Sequence, residues 1–143
     1  MRCDFYGVVS IEKTLIGLLT KIFQEGQRAV VWLPTDRIED INQLLWTEPA
    51  HSFLPHGSDK DGNLDKQPIA LTAHEGNPNN AQCLVLVQAD TLPTDEAFER
   101  IAYVFPIQST GAQAKAQQLK EEAEKAGHTT FLWTQDSAGR WKK

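Results

Sequence analysis

The chain has 143 residues, of which 41% are hydrophobic and 23% charged, and this is the size and composition of one soluble globular domain. Its 14 basic and 19 acidic residues give a net charge of -5 at pH 7, which argues against nucleic-acid binding through a broadly basic surface. Its apolar runs are too short to span a membrane, and we expect a cytoplasmic protein. Two cysteines are too few for a disulfide framework, and Cys3 and Cys83 are predicted to be buried thiols.

The first part of the chain predicts alternating strands and helices. Residues 3–9 predict an opening strand, and Ser10 is the predicted N-cap of a helix that Gly26 ends. Residues 28–33 are a nearly continuous apolar run, as in a strand buried on both faces. Asp36 is the predicted N-cap of a second helix. This β-α-β-α order predicts parallel strands.

Residues 48–80 predict a loop-rich segment. They hold four of the seven prolines and a run of turn-forming residues at 58–63, and only residues 68–72 resemble a strand. The loop around Asp59 is predicted to be mobile.

Regular structure is predicted again from residue 82 onward. The predicted elements are a strand at 82–88, a short helix that Thr94 or Asp95 caps and that runs to Arg100, a strand at 101–105 before Pro106, a long helix at 112–126, and a last strand at 128–133 before a polar tail. The predicted fold class is α/β, a single Rossmann-like domain with a mostly parallel sheet and helices on both faces.

The sequence contains no recognisable catalytic or cofactor motif. The turn after the first predicted strand holds neither GxGxxG nor GxxxxGK[ST], so nucleotide binding loses its main support. Acidic residues alternate at 59–65, but the glycine and glutamate of a calcium loop are missing. His51 and His56 could share a zinc ion, yet no cysteine or third histidine lies nearby in sequence to complete the site. We therefore predict no metal, no cofactor and no catalytic residue.

Two large aromatic side chains occupy irregular sequence. Trp46 follows the apolar stripe of the second predicted helix, and Phe53 lies between Pro49 and Pro55. Such rings either cover the end of a core or serve as anchors in a protein–protein interface. The residues alone leave both possibilities open.

Short segments along the chain form a recognisable pattern, namely DFY at 4–6, GQRAV at 26–30, LW at 45–46, PA at 49–50, SFLPH at 52–56, PIAL at 68–71, CLVLV at 83–87, FP at 105–106 and AG at 126–127. With these segments the chain resembles a known family, the chi subunits of the bacterial DNA polymerase III holoenzyme, which are accessory proteins of the clamp loader. The similarity runs over nearly the whole chain and is most specific at 45–56.

This resemblance implies a non-catalytic adaptor. One side of a chi subunit binds the psi subunit of the clamp loader, and Trp46 and Phe53 match that surface, with Pro55 and His56 shaping the loop. A repair helicase is a possible alternative partner for the same surface.

The resemblance also implies a second binding surface, for the acidic, phenylalanine-ending tail of single-stranded DNA-binding protein. Phe105 and Pro106 match its apolar pocket. The relatives carry Arg, Tyr and Lys on the long helix, where this chain has Gln117, Lys120 and Glu121. The candidate cations are therefore Lys115, Lys120 and Lys125 on the helix, or Arg140, Lys142 and Lys143 in the tail of the chain. Contact with DNA is expected to be only indirect.

A different class of function also fits an α/β fold. A small-molecule-binding protein would place its pocket beyond the carboxyl ends of the strands, near Val9, Pro34 and Gln88.

Overall fold

The structure is a computed structural model that describes residues 2–47, 56–58, 66–73, 76–87, 98–136, 138 and 140–142, without the side chains of Trp46, Thr47 and Lys142. The described helices are α1 (Ile11–Gln24), α2 (Thr35–Thr47) and α3 (Thr110–Lys125). The described strands are β1 (Arg2–Val8), β2 (Ala29–Trp32), β3 (Gly57–Ser58), β4 (Ile69–Thr72), β5 (Cys83–Val87), β6 (Arg100–Pro106), β7 (Thr129–Gln135) and β8 (Trp141–Lys142).

All eight described strands form one sheet in the order β3-β4-β2-β5-β6-β1-β7-β8. Seven of them are parallel, and β8 pairs antiparallel with β7 at one edge. This confirms the predicted α/β class with a mostly parallel sheet. In this order β1 lies between β6 and β7, so side chains from these three strands share each face of the sheet.

Apolar side chains cover both faces of the sheet. On one face, α1 and α2 bury a stripe that includes Leu15, Leu19 and Ile41. On the other face, α3 packs Leu119 and Ala123 against the sheet. This is why the central strands are apolar in consecutive positions rather than in alternate ones.

The predicted signals for the ends of α1 are confirmed, and α3 has equivalent ones. The Ser10 hydroxyl accepts a hydrogen bond from the Lys13 N–H, as an N-cap does. Gly26 follows the end of α1 and Gly127 follows α3, both at positive φ, where glycine has no steric penalty. The helix α3 begins two residues earlier than predicted, with Ser109 as its N-cap.

Several predicted boundaries are wrong. Asp36 does not cap α2, because the helix already begins at Thr35. Its carboxylate lies in the first turn instead, where it interacts favourably with the positive end of the helix dipole. The helix predicted to run to Arg100 does not reach it, because Arg100 begins β6. Phe98 and Glu99 are described and are not helical either. The earlier part of that predicted helix lies outside the described residues, as does the loop around Asp59.

Two short strands were not predicted. The loop-rich segment contributes β3 as well as the expected β4, and the polar tail returns as β8 along β7. Each has only two residues, so neighbouring strands rather than sequence pattern specify them. In the described part of the chain, no helix is long and apolar enough to cross a membrane.

Candidate partner-binding sites

A surface cavity of about 400 Å³ lies where α3 crosses β6 and β7. This volume is within the range of small-ligand and side-chain pockets. Its apolar walls come from Phe105 at the end of β6, Ile107 in the following turn, and Leu132 on β7. The remaining lining residues are Thr110, Gln113, Ala114, Ala116, Gln117, Lys120 and Thr134.

The floor of the cavity depends on a glycine in the neighbouring strand. Gly7 on β1 is in register with Phe105 on one side and Thr134 on the other. A Cβ at Gly7 would lie 2.8 Å from both the Phe105 ring and the end of the Ile107 side chain. No Cβ fits there without displacing them. The bare backbone at Gly7 therefore allows Phe105 and Ile107 to occupy the space above β1.

The helical side of the cavity is polar. The Gln113 side-chain amide donates a hydrogen bond to the Ile107 carbonyl and so ties α3 to the turn before it. The Gln117 amide donates to a Glu121 carboxylate oxygen at 3.2 Å. The Lys120 ammonium lies 2.6 Å from Glu124 and supplies the positive charge among the lining residues.

Glu124 partly neutralises this positive charge. Its carboxylate accepts hydrogen bonds from Lys120 at 2.6 Å and from the Thr130 hydroxyl at 2.7 Å. These two bonds favour the ionised form and lower the pKa of Glu124 below its ordinary value of 4.5. The cavity thus combines an apolar floor with a cation that already has a carboxylate partner. Such a site suits an aromatic or aliphatic ring that carries negative charge beside it.

Three of the five residues predicted for the tail-binding surface lie together in this cavity. Phe105, Gln117 and Lys120 line it, and Pro106 is the next residue of β6. Lys115 is on α3 but is not among the lining residues. Of the alternative cations, Arg140 is exposed beside the hairpin of β7 and β8, while the Lys142 side chain and Lys143 lie outside the description.

Three residues that shape the cavity were not predicted, namely Gly7, Ile107 and Leu132. A signal for Leu132 existed, because strand alternation places it on the same face as Thr134 and opposite to Phe131 and Trp133. Gly7 carried no such signal, since its importance depends on a neighbouring strand nearly one hundred residues later in the chain.

The described residues include only part of the predicted psi-side surface. Phe53 and Pro55 lie outside the described residues, and for Trp46 only the backbone is described, in the last turn of α2. His56 is only 6% exposed, immediately before β3.

The described residues offer little for other chemistry. They contain no group of three or more potential metal ligands. His51, one half of the considered zinc pair, lies outside them. Burial raises the pKa of the Cys3 and Cys83 thiols, which makes them less reactive at neutral pH. Val9 and Pro34 do not line the cavity described above, and Gln88 lies outside the described residues.

Comparison with known proteins gives a consistent result. The family model described as "DNA polymerase III chi subunit, HolC" matches residues 1–137. A curated protein of Rickettsia prowazekii (strain Madrid E), named "Probable DNA polymerase III subunit chi", is 39% identical over 87 residues. That alignment covers 59% of this chain and 50% of the relative, so the chain spans about half the length of the relative.

Proposed function

The chain belongs to the DNA polymerase III chi subunit family, and from that premise we propose that it is a non-catalytic, cytoplasmic adaptor of the replicative polymerase. In this proposal it joins the clamp loader, through the psi subunit, to the acidic C-terminal tail of single-stranded DNA-binding protein. Its contribution to replication is affinity rather than chemistry.

The cavity between α3, β6 and β7 is the observation that carries this proposal. A tail that ends in phenylalanine needs an apolar pocket for its last ring and a cation for its carboxylates. Phe105, Ile107 and Leu132 offer the apolar surface, and Lys120 offers the charge at the helical side. Leu132 is 39% exposed, so it is available to a ligand in the free protein.

The pairing of Lys120 with Glu124 sets the electrostatic conditions for such a ligand. An incoming carboxylate must either share the Lys120 ammonium with Glu124 or displace Glu124 from it. Gln117 adds an uncharged amide to the helical side of the cavity. We therefore propose that apolar burial of the terminal ring supplies most of the affinity, with a modest ionic contribution.

The second arm of the adaptor is the surface that includes Trp46 and Phe53, with Pro55 and His56 shaping its loop. Its proposed partner is the psi subunit, or a repair helicase in its place. Support for this arm comes from family membership and from the residue types, since large aromatic side chains are frequent anchors of protein interfaces.

The tail-binding arm is tested by calorimetric titration of the protein with a synthetic peptide of the tail from the same organism. We expect saturable binding that weakens as salt increases. A peptide without its terminal phenylalanine should bind at least tenfold more weakly, because the apolar pocket stays empty. Lys120→Ala should weaken binding several-fold and reduce its salt dependence.

Lys21→Ala is the matched control, because Lys21 is an exposed lysine on α1, which packs on the other face of the sheet. It should leave the affinity unchanged. Absence of binding at high micromolar peptide, or equal binding of the peptide without phenylalanine, would contradict the tail-binding arm.

The psi-side arm needs a separate experiment with purified psi subunit. Trp46→Ala and Phe53→Ala should each weaken this partner by about 2 kcal/mol or more if they are interface anchors. Circular dichroism and thermal melting must show that both variants remain folded. Unchanged psi affinity in both folded variants would remove this surface from the proposal.

A further inference from the structure

The face of β7 opposite the tail-binding cavity carries an aromatic and basic surface. Its members come from β1, β6, β7 and β8, and they lie on the face of the sheet that α3 does not cover. We call it the aromatic–arginine patch and define it by Arg2, Tyr6, Arg100, Phe131, Trp133 and Trp141.

The rings in this patch are arranged side by side, and two of them, Phe131 and Trp141, are exposed to solvent, whereas Tyr6 and Trp133 are partly buried. The Phe131 and Trp133 rings are stacked, with centroids 6.5 Å apart and planes at 26°. Trp141 meets Tyr6 edge to face at 5.7 Å. Phe131 is 38% exposed and Trp141 49% exposed. These exposed rings form an apolar surface patch that does not contribute to the core, and such patches often mark binding sites.

A guanidinium group extends this surface. The central carbon of the Arg2 guanidinium lies 4.5 Å from the centroid of the Phe131 ring, and the Arg2 side chain is 50% exposed. A planar cation stacked in this way presents a flat face and hydrogen-bond donors to a ligand.

The patch also carries an excess of positive charge. Arg2 and Arg100 both bind the fully buried Asp4, at 3.1 and 2.7 Å, so two cations share one carboxylate. The exposed Arg140 precedes Trp141 directly in sequence, and a carboxylate oxygen of Asp136 accepts a hydrogen bond from the Arg140 backbone N–H. The favoured ligand is therefore an anion that carries flat, stackable groups.

We propose that the aromatic–arginine patch binds single-stranded DNA directly, with bases stacked on the exposed rings and phosphates beside the arginines. Single-stranded nucleic acid alternates flat aromatic groups with negative charges, and proteins that bind it combine aromatic platforms with cations. An acidic peptide would satisfy the arginines but would leave the Phe131, Trp133 and Trp141 rings without flat partners. The charge and the ring geometry together favour the nucleic acid.

This inference departs from the expectation that contact with DNA is only indirect. That expectation follows from the net charge of -5, which sums over the whole chain, whereas binding depends on the local charge. The patch and the tail-binding cavity lie on opposite faces of β7, so the two ligands can bind without excluding each other.

The test is fluorescence anisotropy of a labelled oligothymidine of about 20 nucleotides, a length that covers one or more binding sites of a small domain. We expect saturable binding that weakens between about 50 and 200 mM salt. Phe131→Ala should weaken it roughly tenfold, as loss of one stacked base does. Arg2→Gln should weaken binding and reduce the slope of affinity against salt.

Leu132→Ala is the matched control, because Leu132 is the neighbouring residue of β7, has nearly the same exposure, and points into the opposite cavity. It should leave oligothymidine affinity unchanged and weaken binding of the tail peptide, whereas Phe131→Ala should do the reverse.

Loss of both ligands in both variants would indicate unfolding, which circular dichroism detects, and Trp141→Ala then replaces Phe131→Ala. Any of three outcomes would overturn the proposal. The folded wild-type protein fails to bind the oligothymidine, or the folded Phe131→Ala and Trp141→Ala variants bind it as tightly as wild type does. The third outcome is that an acidic peptide, and not DNA, binds at the patch. Because the tail peptide is titrated separately, this failure is distinguishable from failure of the adaptor function.

Discussion

The Arg100 Nε atom lies 2.7 Å from a carboxylate oxygen of Asp4, whose side chain is fully buried between β6 and β7. The same carboxylate accepts hydrogen bonds from Arg2 and from the Trp133 indole N–H at 3.3 Å. A second nitrogen of Arg100 donates to the Tyr6 hydroxyl at 2.6 Å. One buried acid thus connects three neighbouring strands and holds the arginines and rings of the aromatic–arginine patch in place.

Asp4→Ala should destabilise the protein by about 3 kcal/mol, the low end of the cost of removing one partner of a buried ion pair. The low end applies because Arg100 retains some access to water and can be partly solvated after the change. The measurement is urea unfolding followed by circular dichroism, with the free energy of unfolding extrapolated to water.

Arg2→Gln is the control for this prediction. Its side chain is half exposed, so its ion pair with Asp4 should contribute less than about 1 kcal/mol. If Arg2→Gln costs as much as Asp4→Ala, the burial of the Asp4–Arg100 pair is not what stabilises this region.

The main elements of the fold follow from local sequence pattern, whereas short elements depend on their neighbours. Continuous apolar runs predict β2 and β5 because a strand covered on both faces has no polar positions. The strands β3 and β8 have no such pattern, since two residues form a strand only when a longer strand is already beside them. The role of Asp4 was equally hidden, because its partner Arg100 is 96 positions away in the chain.

Only part of the lining of the cavity could be predicted, for the same reason. Phe105, Gln117 and Lys120 were available through the family resemblance, and they do line one cavity. Gly7 was not, because the space for the Phe105 ring is created by what is missing on an adjacent strand. A sequence pattern reflects the side chains that are present. The need for a position without a side chain follows from packing between strands, which the sequence alone does not show.

Gly7→Ala should destabilise the protein by about 1 to 3 kcal/mol, as overpacking of a filled interior does. The new methyl group would lie 2.8 Å from both Phe105 and Ile107, and these side chains must move toward the cavity. We therefore expect weaker binding of the tail peptide as well as a lower thermal midpoint. Calorimetric titration below the melting temperature separates the two effects.

Gly17→Ala provides a matched control for Gly7→Ala. Gly17 lies in α1, and a Cβ there would meet nothing within 4 Å. This substitution should stabilise the protein slightly, since alanine is favoured over glycine inside a helix by roughly 0.5 to 1 kcal/mol. Equal effects of the two substitutions would show that close packing at Gly7 does not shape the cavity.

Ser109→Ala should cost about 1 kcal/mol of stability, because the Ser109 hydroxyl accepts a hydrogen bond from the Ala112 N–H at 3.1 Å and caps α3. Ser109→Asp keeps an acceptor at this position and should remain close to wild type. Urea unfolding measures both variants. A larger loss in Ser109→Asp than in Ser109→Ala would be evidence against the capping role.

The Glu124 carboxyl should titrate below its ordinary pKa of 4.5, because Lys120 and Thr130 donate hydrogen bonds to its ionised form. The folded state then binds fewer protons than the unfolded state. The resulting stability is fully present above the ordinary pKa of glutamate and is lost as the pH falls through the lower, folded-state pKa. Carboxyl carbon shifts followed by NMR during an acid titration measure this pKa directly, and Lys120→Met should return it toward 4.5.

The same carboxylate also limits how strongly Lys120 can attract an acidic ligand. Glu124→Gln removes the competing charge while keeping a side chain of similar size, so it should increase tail-peptide affinity several-fold and steepen its salt dependence. Glu25→Gln is the control. It removes one negative charge at the C-cap of α1, a helix that packs on the other face of the sheet, so it should leave the peptide affinity unchanged. Equal gains in the two variants would mean that net charge, rather than the Lys120–Glu124 pair, controls the ionic part of binding.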